Sequence, residues 1–115
     1  MTAESGLSTL EYHVLLAMAA GPLYGYAIKE AVEAESRGAV TPRAGSLYRV
    51  IARLLSWGFV AEVAPERDVE PHPGRARRYY ALTREGRSAL AEEAARLKGA
   101  AALAEKRLRV AGGQR

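Results

Sequence analysis

Three stretches with helical apolar spacing, two short alternating stretches around a basic segment rich in proline and glycine, and one long closing helix predict a mainly α chain with a small β-hairpin. At 115 residues, 49% of them hydrophobic, the chain can bury one core and hardly two, so one globular domain is expected. The sequence has no cysteine, which excludes a disulfide framework and thiolate metal sites and fits a reducing compartment. Met1–Leu7 lacks the basic opening of a signal peptide, and the longest apolar run, Val14–Ala20, is too short to cross a bilayer. A cytoplasmic protein without membrane contact is the expectation.

The helices declare themselves by caps and by spacing. Ser8 followed by Glu11 is a capping-box signature, and the apolar stretch after it runs to Ala20 and stops at Gly21-Pro22, so the first helix is Thr9–Ala20. In Tyr24–Ser36, Ala27, Ile28, Ala31 and Val32 share one side and Lys29, Glu30, Glu33 and Glu35 mostly the other, which predicts the second helix. Tyr24 and Tyr26 are expected to pack that helix. Residues 37–43, with Gly38 and Pro42, form a break.

The third helix runs from Ala44 to Trp57, with Gly58 as its C′ residue. Leu47, Val50, Ile51, Leu54 and Leu55 make an apolar stripe for the core. The opposite side carries Gly45, Ser46, Arg49, Arg53 and Ser56, with the two arginines one turn apart. A small, polar, doubly basic face suits a major groove, where arginine can bind guanine in bidentate fashion or grip a phosphate. The same face also reads as a solvated surface.

Phe59, Ala61 and Val63 alternate with Val60 and Glu62 in one strand, and Arg78–Leu82 forms a second. Between them, Ala64–Arg77 holds Pro65, Pro71, Pro73 and Gly74 and ends in Arg75, Arg77 and Arg78. Three helices followed by a hairpin with a long basic loop describe a winged helix-turn-helix domain over residues 1–83, whose wing arginines would meet phosphates or the minor groove. Trp57 is expected to pack against the hairpin.

Thr83 can cap a last helix over Arg84–Val110. Its Leu90, Ala94, Leu97, Ala101, Ala104 and Leu108 fall in an a/d heptad register, which predicts a C-terminal dimerisation helix over residues 84–110. Folding back onto its own domain is the alternative. Gly112-Gly113 is expected to end the order, leaving 111–115 as a disordered tail.

Charge is divided along the chain. Residues 1–36 hold one lysine against five glutamates, whereas residues 37–84 hold nine arginines against four acidic residues. A basic middle of this kind suggests contact with a polyanion.

Gly21-Pro22-Leu23-Tyr24-Gly25-Tyr26, Gly45-Ser46-Leu47-Tyr48-Arg49, Trp57-Gly58-Phe59-Val60 and Arg78-Tyr79-Tyr80-Ala81-Leu82-Thr83-Arg84-Glu85-Gly86-Arg87 occur in that order. Together they resemble the PadR family of transcriptional regulators, over about Leu7–Leu90. The resemblance implies a homodimer that binds double-stranded DNA at an inverted repeat, represses transcription and is often released by a small-molecule effector. It implies that Ser46, Tyr48 and Arg49 touch DNA, with the wing's basic residues beside them, and that the first helix meets the other subunit. Where the family has Ser-Pro before the glycine, this chain has Arg43-Ala44, so the usual cap of the third helix is missing. The last helix also lacks the ligand-stacking tryptophan of the family's drug-binding members.

An enzyme is not expected: there is no glycine-rich phosphate loop, no nucleophile with an adjacent base and no isolated carboxylate pair, hence no catalytic residue and no cofactor. His13 and His72, the only histidines, do not suffice for a metal site. The competing reading is a winged helix that binds proteins without DNA, since fold alone does not fix function.

Overall fold

The computed structural model describes residues 6–64 and 78–113. Helix α1, Thr9–Ala17, opens on the expected capping box: Ser8 Oγ accepts from the Glu11 N–H at 3.1 Å, and Glu11 Oε1 accepts from the Ser8 N–H at 2.8 Å. It is shorter than predicted. Residues 18–20 are turns rather than helix, and the Met18 and Ala19 N–H groups bond to carbonyls three residues back, a tightening common where a helix runs out.

Strand β1, Leu23–Tyr24, was not legible in the sequence and takes Tyr24 out of the second helix, which is α2, Gly25–Glu35. Two residues are too few to display a period, and their partners are more than fifty positions away. Leu23 pairs with Tyr80 and Tyr24 with Tyr79, so the expected hairpin becomes a three-stranded antiparallel sheet in the order β1-β3-β2, with β2 Val60–Val63 and β3 Tyr79–Leu82. The Tyr24 and Tyr79 rings meet edge to face at 5.7 Å.

Helix α3, Ala44–Ser56, buries four of the five residues of the predicted stripe, Leu47, Val50, Ile51 and Leu54, whereas Leu55 is exposed. Its end is a Schellman motif. The Gly58 N–H reaches Leu55 O at 3.1 Å and the Phe59 N–H reaches Leu54 O at 3.0 Å, with Gly58 at φ +80°. Trp57 packs on the core, its ring 5.8 Å from that of Phe59. Val14, Leu15 and Met18 of the α1 region, Ile28 and Val32 of α2, and Val60 and Tyr80 of the sheet complete one core with the α3 stripe.

Helix α4 spans Arg84–Gly113, running three residues past the predicted end and through both glycines expected to stop it. Thr83 caps it, accepting from the Gly86 N–H at 3.0 Å while donating to Gly58 O at 2.6 Å. A Cβ on Gly86 would overlap the Phe59 carbonyl oxygen, so only glycine lets α4 approach the α3–β2 corner this closely. The first turns of α4 pack against α1 and β3. Thirty residues of helix span about 45 Å. The radius of gyration is therefore 17.0 Å, against about 13 Å for a compact chain of this length.

Candidate nucleic-acid interface

The exposed face of α3 begins at a bare helix start. Arg43 stands at the N-cap in extended conformation with no side-chain cap bond, as the missing Ser-Pro predicts, and the helix nevertheless begins at Ala44. Ser46 and Arg49 lie one turn apart, the Arg49 Nη2 donating to Ser46 Oγ at 3.4 Å in an exposed contact. Such a bond is long and solvated, so little holds Arg49 in place.

Tyr48 is 53% exposed, and its position is set by an absence on α2. A Cβ on the buried Gly25 would lie 2.5 Å from the Tyr48 hydroxyl and 3.0 Å from Cζ, so the ring occupies space that any other residue at 25 would fill. The opening turn of α2 thus seats a side chain of α3, whose hydroxyl end lies against Gly25 while the residue as a whole stays half-exposed. The only sequence signal for this was the glycine itself, three residues after Pro22.

The sheet brings a third element to the same side. The Tyr80 hydroxyl is pushed above the usual phenol range first by burial and then by Glu62, with Arg78 opposing and Tyr48 adding slightly. Arg78 stands one residue before β3, at the base of the wing. Arg75 and Arg77 lie outside the described residues.

Arg53 behaves differently from Arg49. Its Nε donates to Glu11 Oε2 at 2.9 Å, and its guanidinium carbon lies 5.9 Å from the Trp57 ring centroid. Of the two arginines expected one turn apart on the exposed face of α3, Arg53 is thus bonded within the chain while its side chain stays 44% exposed. Nothing in the sequence pairs residues 11 and 53, because Glu11 is already accounted for by the cap.

Two expectations on α2 and α4 also change. Tyr26 does not pack its helix but is 57% exposed, with the Lys29 ammonium 5.9 Å from its ring. Lys29 is in turn paired with Glu33 at 2.9 Å. On α4, Leu90 packs against its own core and Ala94 is half-buried, so the uncovered part of the heptad stripe starts at Leu97 and continues through Ala101, Ala104 and Leu108. Beneath it, the buried Glu93 accepts from Arg96 and from the Leu7 N–H, tying the N-terminal segment to α4. Among the described residues no three His, Asp or Glu side chains converge as metal ligands, and no helix is long and apolar enough to cross a membrane.

Two helices joined by a turn, the second presenting an exposed polar face, followed by a strand pair to which the short strand before the two helices adds a third member, define a winged helix-turn-helix. The model of the transcriptional regulator PadR-like family matches residues 14–92, and the chain belongs to that family. No curated protein matches the sequence. Among solved structures, a PadR family transcription regulator from Clostridium difficile R20291 superposes with a TM-score of 0.71 at 19% identity, covering 88% of this chain and 99% of that one. A PadR-like transcription factor from Bacteroides fragilis gives 0.67 at 29% identity, covering 84% and 87%. Bacillus subtilis PadR, solved in complex with operator DNA, gives 0.60 at 21% identity, with 74% of this chain covering 46% of that longer protein.

Proposed function

We propose that this protein is a homodimeric, sequence-specific DNA-binding regulator, acting in the cytoplasm as a repressor at an inverted-repeat operator and released by a small-molecule effector. The observation that carries the proposal is the grouping of Ser46, Tyr48 and Arg49 on the outward side of α3, near its N-terminal end. Ser46 and Tyr48 offer hydroxyls for phosphate oxygens, and Arg49 is exposed and weakly held, so it can reach a guanine edge or a phosphate at little cost. Arg75, Arg77 and Arg78 would add phosphate contacts from the wing. That Bacillus subtilis PadR, which shares this fold, was solved in complex with operator DNA supports the DNA-binding reading.

Pairing belongs to the same proposal. One recognition helix reads too few base pairs to find a site in a genome, so two are needed, held about 34–36 Å apart on the duplex. The uncovered seam Leu97, Ala101, Ala104 and Leu108, continuing from Leu90 and Ala94, supports dimerisation through α4.

Selection of bound duplexes from a random-sequence pool tests the reading. The expected outcome is an inverted repeat whose affinity falls steeply with salt. A folded protein that retained no duplex at low salt would leave a protein-binding winged helix in its place.

A further inference from the structure

We propose that Arg53 is a positioning residue and not a DNA ligand: through Glu11 it locks α3 to the capped start of α1, so that the face reading DNA is set by α1. The inference rests on the DNA-binding function proposed above and assigns one of its basic residues to a different task.

The geometry points there from both ends of the pair. Glu11 is 6% exposed and each of its oxygens is in use, Oε1 accepting from the Ser8 N–H at 2.8 Å and Oε2 from Arg53 Nε at 2.9 Å. One carboxylate therefore closes the α1 cap and anchors α3. The guanidinium carbon also lies 5.9 Å from the Trp57 ring centroid, at the C-terminal end of α3. Helices of this kind read bases mainly with their N-terminal residues, where Ser46, Tyr48 and Arg49 stand.

Energetics decide whether Arg53 could leave this position for DNA. The Arg53 side chain is 44% exposed and is bonded through Nε, but moving the whole guanidinium to a phosphate would strand an oxygen of a buried carboxylate without its cation, a large penalty compared with a surface phosphate contact. Arg49 faces no such penalty, since its only described bond is an exposed one to Ser46. Two arginines one turn apart on the same helix are thus divided between contact and support.

The consequence is mechanical coupling. The N-cap of α1, the carboxylate of Glu11 and the Arg53 side chain form one continuous chain of hydrogen bonds from the α1 start to α3. A displacement of α1 would be passed to α3 through it.

Glu11→Gln separates the two roles, because glutamine can still accept the Ser8 N–H in a capping box but loses the charge that holds Arg53. The probe is a duplex that the wild-type protein has selected from a random pool, with sedimentation run alongside to follow the dimer. Glu11→Gln and Arg53→Ala should each weaken binding by about 5-fold or more, the double variant should bind no worse than the weaker single, and the salt slope should stay at its wild-type value.

Glu11→Gln binding like wild type would overturn the proposal, as would a salt slope lowered by about 0.9 in Arg53→Ala, which marks a lost phosphate contact. Weakening accompanied by loss of the dimer also overturns it. Should Arg53→Ala fail to fold, Glu11→Gln decides alone. A wild-type protein that selects no duplex removes the DNA-binding reading and this one with it, whereas failure confined to Glu11→Gln removes only this one.

Discussion

Replacing Leu97 with glutamate should dissociate the proposed dimer, and the structure sets the scale. In the single chain Leu97 is 38% exposed and Leu108 72% exposed. Full burial of a leucine is worth about 1.5–3 kcal/mol, so covering what remains yields about 0.6–1.1 kcal/mol at Leu97 and about 1.1–2.2 at Leu108. Doubled by the twofold axis, the two leucines supply about 3–7 kcal/mol, near the lower bound of what association costs. The seam is therefore thin and has little to spare. Leu97→Glu forfeits about 1–2 kcal/mol of apolar contact across the pair and sets two carboxylates near each other, so the dissociation constant should rise by at least about 10-fold. Sedimentation equilibrium over a concentration series measures it, with circular dichroism to confirm that the helices persist. A folded Leu97→Glu protein with the wild-type dissociation constant would refute the reasoning and return α4 to a solitary arm.

Gly86→Ala should cost about 2–4 kcal/mol in urea unfolding, because the added methyl meets the Phe59 backbone rather than a side chain able to move; a loss below about 0.5 kcal/mol would show that the corner yields. Gly25→Ala should leave the protein folded but displace the Tyr48 ring, so duplex affinity falls while the urea midpoint barely moves, and unchanged affinity would detach Tyr48 from DNA. Glu93 is held below the usual carboxylate range chiefly by its bond from Arg96. It therefore adds stability above the ordinary carboxylate pKa and loses it as the pH falls through its own lowered value. Glu93→Gln should be less stable than wild type near neutrality and converge with it in acid, and parallel pH profiles would contradict this.

Local signals carried most of the fold. The Ser8–Glu11 box, the stripe of α3 and Gly58 after Trp57 each act within a few residues, where periodicity and capping are legible, and each stands where the sequence places it. What escaped was nonlocal. Strand β1 exists because β3 offers it partners, Tyr48 is seated by a glycine on another helix, and Arg53 turns to a carboxylate 42 residues away. The error at the end of α4 has another origin. Two glycines weaken a helix by about 1 kcal/mol each, a penalty that need not end a helix already nearly thirty residues long.

The division of labour among these residues has a thermodynamic consequence. If two copies of α3 must engage DNA together and the α4 seam is as thin as its alanines imply, DNA binding and dimerisation are linked, each strengthening the other by the same factor. A seam built of leucines throughout would hold the dimer at any concentration and leave nothing for a second molecule to shift. With alanine at 94, 101 and 104, a change of about 1 kcal/mol at such a seam would be a sizeable share of the association energy. The same α1 carries Glu11 at its first turn, and Glu11 holds α3. Whatever displaced α1 would thus alter the pose of each recognition helix through that bond.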